Sequence, residues 1–214
     1  TWDPRVFAAV AVHPTRSSTF GEDDRAVIEE LAAQPRVVAV GETGLDFYWD
    51  YSPPAAQEEA FRWHIDLAKR VDKPLMIHDR DAHEDIMRVL HAEGPPERVV
   101  FHCFSGDADF ARRCVDEGFV LSFAGAVTFR NAQALRDAAR LVPLDQMLVE
   151  TDAPFLTPHP FRGRPNEPYC VAYTVRDLAE LRGMDVGDVA SAVRETAERV
   201  FRLPRMTSHD SPGE

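Results

Sequence analysis

Short apolar runs of strand length alternate with amphipathic segments along most of the chain. The runs are rich in valine and apolar on both faces, which is typical of buried strands in a parallel sheet. They occupy residues 6–12, 37–41, 75–78, 99–104, 119–123 and 147–151. Between them, apolar residues recur at helical spacing. Strand alternating with helix predicts an α/β fold with right-handed crossovers.

The first predicted helix covers residues 23–34 and is amphipathic. Val27, Ile28 and Leu31 lie on one of its sides. That spacing is typical of a stripe that faces the core. We therefore expect these three side chains to pack against the sheet.

A polar residue that can bind a metal ion stands at or near the end of five of the six runs. These residues are His13, Glu42, His78, His102 and Asp152. In a parallel α/β barrel the carboxyl ends of all strands point to one face, where active sites are built. A single residue of this kind would more often be a helix cap or a buried polar group whose hydrogen bonds are made within the core. Five of them on one face favour a functional site.

Glu42, His78, His102 and Asp152 form a mixed set of nitrogen and oxygen donors. Such a set suits zinc, manganese or a similar divalent ion. A carboxylate has two oxygens and can bridge two ions, so Glu42 is the natural bridge if the site holds two. Two ions about 3.5–4 Å apart can clamp the attacking and leaving oxygens of a phosphoryl displacement.

Composition restricts the class of partner. The chain has 214 residues, 44% of them hydrophobic, and a net charge of −12. A protein that grips long duplex DNA normally presents a basic face, which this acidic chain as a whole does not suggest. No apolar stretch approaches the roughly 18–20 residues of a membrane span, so we expect no membrane partner. The three cysteines stand at no zinc-like spacing and favour a reduced cytoplasm.

Five segments carry a family resemblance that runs in order over roughly residues 6–203. They are "GETGLDFYWD", "KPLMIHDRDA", "RVVFHCFSGD", "GFVLSFAGAVTFRN" and "VETDAPFLTPHPFRGRPNEP". Together they closely resemble the TatD family of metal-dependent deoxyribonucleases, within the amidohydrolase-like barrel enzymes. The resemblance implies a TIM-like barrel that holds two divalent ions (Zn, Mg or Mn). It also implies an exonuclease that degrades DNA from a strand end. The residues leave open whether RNA is a substrate as well.

The resemblance assigns a role to each of the four strongest candidates. Glu42 matches the family's metal-bridging glutamate. His78 and His102 match the two histidines that hold one metal. Asp152 matches the aspartate that holds the other metal and helps to activate the hydrolytic water. Glu42 and Asp152 are therefore the expected catalytic residues.

Other polar residues near the motifs are weaker candidates for contact with substrate. They are His13, Arg80, Ser105, Arg162 and Asn166. His13 matches the first histidine of a His-Pro-His element, but Thr15 stands where the second would be. For Ser105, the start of a helix is about as good an explanation as a contact with a phosphate. For Asp81, capping of the next helix is the better explanation. Glu150 could support a ligand histidine or form a structural pair.

The family opens with a strand that carries a His-x-His pair, and this chain has no such pair. A closed barrel needs eight strands, and the sequence predicts six. We therefore expect one or two β/α units, each of about 30 residues, to be missing before Thr1. The rest is predicted to form one incomplete barrel domain over residues 1–204 and a polar tail over residues 205–214.

Two other functions are compatible with the same residues. A metal-dependent hydrolase of a small ester, amide or lactone would use the same donor set, because one fold and one type of site serve several chemistries. An inactive fragment would result if the first metal lacks its histidine pair. The sequence does not determine the oligomeric state, and a monomer is favoured for every one of these functions.

Overall fold

Residue 3 and residues 5–204 are described in a computed structural model of the chain. The predicted tail over residues 205–214 lies outside the described residues. The single barrel domain over residues 1–204 stays a prediction.

All six predicted strands are present and form one sheet. They are β1 (Ala8–Val10), β2 (Val37–Asp46), β3 (Leu75–Arg80), β4 (Val99–Phe101), β5 (Val120–Phe123) and β6 (Met147–Val149). The strands pair in chain order, and every pairing is parallel. The predicted α/β architecture is confirmed: the described sheet is curled into a half-barrel.

Helices connect the strands and cover the sheet. They are α1 (Glu22–Ala32), α2 (Pro54–Arg70), α3 (His83–Glu93), α4 (Ala108–Asp116), α5 (Gln133–Leu141), α6 (Val171–Arg182) and α7 (Val186–Phe201). Short 3-10 turns lie at Pro14–Thr19, Gly125–Thr128, Leu144–Gln146 and Pro168–Cys170. The main core forms where strand residues such as Leu75 and Ile77 meet helix residues such as Phe61 and Ile65. Among the helices of the described residues, none combines the length and the apolar character needed to span a bilayer.

The predicted apolar stripe of α1 is only partly correct. Ile28 and Ala32 are buried, whereas Val27 is 55% exposed and Leu31 is 43% exposed. The helix packs against β1 and β2 at one edge of the sheet. Only one narrow side of α1 therefore meets the core, and helical spacing alone does not say how wide that side is.

The predicted end of β2 is wrong. The apolar run ends at Gly41, but the strand continues to Asp46. Its pairing with β3 shifts register between Val40 and Thr43 and then runs on to Asp46, opposite Arg80. Glu42 lies within this irregularity and not after the strand. A bulge of this kind redirects side chains locally, and here it changes the direction of the Glu42 carboxylate.

Two glycines let β2 approach β3 closely at the same place. A Cβ atom at Gly41 would lie 2.3 Å from the Cβ of Met76. A Cβ atom at Gly44 would lie 2.2 Å from the carbonyl oxygen of His78, and the φ angle of +133° there also favours glycine. The absence of both side chains therefore allows the close pairing that surrounds Glu42.

His64 of α2 holds the segment that leads from β1 to His13. Its Nε2 accepts a hydrogen bond from the Val12 amide at 3.1 Å, and its Nδ1 lies 2.7 Å from the Ala60 carbonyl oxygen. Burial lowers the pKa of His64 to about 4, so the ring is neutral at pH 7 and serves as donor and acceptor at once. This buried histidine is structural.

We predict that Gly44→Ala destabilises the protein by about 3 kcal/mol, because the new methyl group would overlap the β3 backbone. Urea unfolding followed by circular dichroism measures the effect. Gly21→Ala is the matched control, since no atom lies within 4 Å of the Cβ position there. It should change the free energy of unfolding by less than about 1 kcal/mol. Equal stability of the two variants would contradict the close-approach argument.

Candidate metal centre

The four strongest candidates come together at the carboxyl end of the sheet. Glu42 lies between the two histidines: its Oε2 is 3.3 Å from Nε2 of His102 and 3.6 Å from Nδ1 of His78. Oδ1 of Asp152 is 3.6 Å from the same Nε2 of His102. These side chains come from or follow four different strands, and each is largely buried. The structure thus assembles one compact group of nitrogen and oxygen donors.

His13 also belongs to this group, although the sequence predicted only a contact with substrate. Its Nε2 lies 3.3 Å from Nδ1 of His78 and 3.8 Å from Oε1 of Glu42. His13, Glu42 and His78 can each offer one ligand atom such that all three lie within 4.8 Å of one another. Thr15 binds the other ring nitrogen of His13, with Oγ1 at 2.7 Å from Nδ1. His13 is therefore placed to act as a further ligand.

The spacing of the donor atoms fits a divalent ion. Ligands about 2.1 Å from a tetrahedral zinc ion are separated from one another by about 3.4 Å. The separations of 3.3 and 3.6 Å between Glu42 Oε2 and the two imidazole nitrogens are close to that value. The residues present therefore fit a divalent ion, and the described set whose ligand atoms all lie within 4.8 Å of one another is His13, Glu42 and His78.

His78 and His102 each contact an outer carboxylate with the ring nitrogen that faces away from Glu42. Nε2 of His78 lies 2.8 Å from Oδ2 of Asp46, and Nδ1 of His102 lies 3.0 Å from Oε2 of Glu150. Glu150 also accepts a hydrogen bond of 2.5 Å from the Ser122 hydroxyl. Such outer partners fix the ring orientation and raise the basicity of a ligand histidine. Of the two roles considered for Glu150, the contacts favour support of a histidine.

Asp46 is a residue that the sequence analysis missed. It is 2% exposed and lies four residues after Glu42 on the same strand. Because side chains alternate along a strand, residues two and four apart share a face. That periodicity could have identified Asp46 if β2 had been predicted to continue beyond Gly41.

These contacts shift the pKa values of the cluster. Burial lowers the pKa of His102, but hydrogen bonds to Asp152 and Glu150 outweigh it and raise that pKa to about 10. The pKa of His78 is also raised, because Glu42 and Asp46 outweigh the effect of burial. Burial acts to raise the pKa of Glu42, yet the neighbouring histidines lower it. The pKa of His13 is lowered by burial and by His78. Without an ion, the carboxylates thus favour the protonated forms of His78 and His102.

The loop after β6 presents Asp152 and is held by its own polar contacts. Asp152 itself has a positive φ of 55°. Asn166 is 4% exposed and donates from Nδ2 to the carbonyl oxygens of Thr151 and Phe155, at 2.7 and 2.6 Å. Asn166 therefore stabilises the loop through hydrogen bonds, whereas the sequence predicted that it contacts substrate.

The other weak candidates lie in exposed positions. Arg80 and Arg162 are exposed, and neither makes a salt bridge or side-chain hydrogen bond with a described residue. Arg162 lies over the ring of Phe129, at 3.9 Å from its centroid. Ser105 is exposed, with its hydroxyl 3.4 Å from the Asp79 carbonyl oxygen. All three are accessible to a substrate.

The expected helix cap at Asp81 is wrong, and so is the alternative in which Ser105 starts a helix. Helix α4 is capped by Asp107, whose Oδ1 accepts from the Phe110 amide at 2.9 Å, and not by Ser105. The residue that precedes α3 is Ala82, so Asp81 is not its cap. Asp81 instead has a φ of 55°, a left-handed conformation that aspartate adopts more readily than most residues.

We predict that Glu150→Gln weakens zinc binding by about 10- to 100-fold, because the ring of His102 loses its charged hydrogen-bond partner. Zinc affinity measured by competition with a chromophoric chelator tests this. The control is Glu117→Gln, which changes a carboxylate 3.1 Å from His91 in an exposed pair. If both variants bind zinc like the wild type, Glu150 does not support the centre.

We also predict that metal binding is coupled to proton release. The ion must displace protons from histidines whose pKa values are raised, so apparent affinity should rise with pH between 6 and 9, and at pH 7 about one proton or more should leave per ion. Calorimetric titrations in buffers with different ionisation enthalpies measure this number. Binding that is independent of pH and releases no proton would contradict the assignment.

Known proteins resemble this chain over nearly its whole length. The profile of the family described as "TatD related DNase" matches residues 1–202. An uncharacterized metal-dependent hydrolase TatD of Mycobacterium tuberculosis is 56% identical over 207 residues, which cover 94% of this chain and 78% of that protein. A protein of Erwinia tasmaniensis named 3'-5' ssDNA/RNA exonuclease TatD is 36% identical, and the match covers 92% of this chain and 78% of that one.

A solved structure has the same architecture. The crystal structure of YjjV, a TatD homologue from Escherichia coli, superposes with a TM-score of 0.83 at 32% identity. The superposition covers 92% of this chain and 77% of that one. The curled parallel sheet described above is therefore a TIM-like half-barrel.

Proposed function

The chain belongs to the TatD-related DNase family of metal-dependent hydrolases, and from this premise we propose that it removes nucleotides from an end of single-stranded DNA or RNA. The proposal requires a metal centre that acts on a phosphodiester and a surface that accepts a flexible strand.

The observation that carries the proposal is the position of Glu42. Its carboxylate faces His78 and His102 with one oxygen and His13 with the other. One carboxylate shared in this way can serve two ions, as hydrolysis of a phosphodiester often requires. We assign Glu42, His78, His102 and Asp152 as metal ligands, with two divalent ions as the expected complement. The chemistry that such ions would supply when bound is polarisation of the scissile phosphate and a lowered pKa for a water molecule.

Asp152 is the residue that we propose accepts the proton from the attacking water. Its side chain is 29% exposed, so water reaches it, while its neighbour His102 is only 17% exposed. The loop braced by Asn166 keeps the carboxylate in place. A general base must lie within hydrogen-bonding reach of the proton that it takes. The distance of 3.6 Å between Oδ1 of Asp152 and Nε2 of His102 supports this role.

The charge distribution supports a strand end as substrate. A chain of net charge −12 has little to attract a long duplex. The guanidinium groups of Arg80 and Arg162 lie at the carboxyl end of the sheet and are available for phosphate contacts. Ser105 can donate a further hydrogen bond from the same end. Three free cysteines suit a reducing compartment, so we propose action in the cytoplasm.

We predict that His102→Ala abolishes metal loading and reduces hydrolysis of a labelled single-stranded oligonucleotide to background. The reason is that the variant removes the imidazole that faces both Glu42 and Asp152. Metal analysis by mass spectrometry and gel assays of nucleotide release measure the two effects. His91→Ala, which changes an exposed histidine of α3, should retain both properties.

The same assays separate the proposal from its rival. If His102→Ala loses metal but the wild type releases no nucleotide and instead hydrolyses a panel of small esters or lactones, the centre is correct and the substrate class is wrong. Full nuclease activity in His102→Ala would overturn the site assignment.

A further inference from the structure

Four aromatic side chains are exposed immediately after β2. We call residues 47–51 the aromatic loop. Phe47 is 39% exposed, Tyr48 54%, Trp49 45% and Tyr51 64%. Exposed aromatic rings crowded into five residues are unusual on a surface that contacts only water, and such patches commonly mark a binding site.

The rings are arranged for stacking. Trp49 and Tyr51 lie parallel, with an interplanar angle of 6° and centroids 5.4 Å apart. Tyr48 meets Trp49 edge to face, with centroids 4.9 Å apart. The guanidinium of Arg80 lies 4.3 Å from the centroid of Tyr48. The patch therefore combines flat aromatic faces with one adjacent positive charge.

Buried polar contacts hold the aromatic loop in this form. Oδ1 of Asp46 accepts hydrogen bonds from the backbone amides of Tyr48 and Trp49, at 3.0 and 2.9 Å. Gln57 is 1% exposed and donates from Nε2 to the carbonyl oxygens of Asp46 and Ser52, both at 2.9 Å. The Ser52 hydroxyl in turn accepts from the Ser18 amide at 3.0 Å. A loop fixed in this way loses little conformational entropy when a ligand binds.

The aromatic loop is joined directly to the metal centre. Asp46 binds the loop amides with Oδ1 and His78 with Oδ2, at 2.8 Å. Arg80 ends β3, two residues after His78. The buried carboxylate of Asp46 and strand β3 therefore connect the aromatic loop and Arg80 to the candidate metal ligands.

We propose that the aromatic loop is a stacking platform for the bases of single-stranded nucleic acid, and that it holds the strand while the phosphodiester to be cut lies at the metal centre; this inference rests on the function proposed above. Aromatic rings stack on bases of every sequence. Arg80 adds a contact to phosphate or to a base face. A duplex hides its base faces within the stack, so the platform selects single strands.

The test compares two substrates and measures KM and kcat separately with metal-loaded protein. One substrate is a labelled single-stranded oligonucleotide, and the other has the same backbone with abasic sites near the end that is cut. Trp49→Ala should raise KM for the complete oligonucleotide by about 5- to 50-fold, as expected for the loss of one stacking contact. Its kcat should change little, and on the abasic substrate it should have the same KM as the wild type.

Matched variants separate stacking from damage to the fold. Trp49→Phe keeps an aromatic face and should restore most of the lost affinity. Leu31→Ala truncates an exposed apolar side chain on α1 and should leave KM unchanged. Tyr51→Ala provides a second removal of a ring if Trp49→Ala unfolds at a lower temperature than the wild type.

Two outcomes would overturn the inference. One is an equal rise in KM of Trp49→Ala on both substrates, because the loop would then contribute to binding without contacting the bases. The other is wild-type KM in Trp49→Ala and Tyr51→Ala, in which case the patch serves a different partner, such as another protein. If the wild type itself cuts no oligonucleotide, it is the proposed function that fails.

Discussion

The close approach of β2 to β3 is the constraint on which the candidate site depends. Side chains at Gly41 or Gly44 would overlap β3, so only glycine allows the strands to pair at this distance. The register shift between Val40 and Thr43 then places the Glu42 carboxylate 3.6 Å from the ring of His78. A carboxylate that emerged one residue earlier or later would face the opposite side of the sheet. The glycines thus decide where the central ligand lies.

Charge balance makes this crowded, largely buried cluster stable. Burying a carboxylate is costly unless an opposite charge or hydrogen bonds compensate. Glu42 obtains that compensation from His78 and His102, which are in turn supported by Asp46 and Glu150. The same outer carboxylates that keep the imidazoles protonated would make them strong donors to an ion. Proton and metal therefore compete for one set of nitrogen atoms.

Asp46 connects the chemistry to the surface that surrounds it. With one oxygen it orients His78, and with the other it fixes the start of the aromatic loop. The loop after β6 is braced in a similar manner by Asn166. Binding residues on loops are effective when a rigid scaffold positions them. In this protein the scaffold is the carboxyl end of the parallel sheet, and short buried hydrogen bonds extend its rigidity into the loops.

The pattern of residues alone determined the alternation of strand and helix, the parallel order and the five polar residues that meet at one end of the sheet. These features are local or periodic, and hydrophobic spacing records them directly. The tertiary structure decided the rest. It extended β2 to Asp46, because pairing with β3 outweighs the two glycines that interrupt the apolar run. It exposed Val27 and Leu31, because burial depends on which neighbours cover a helix. It turned Asn166 inward and made Asp46 the partner of His78, because hydrogen-bond partners distant in sequence meet only when the chain folds.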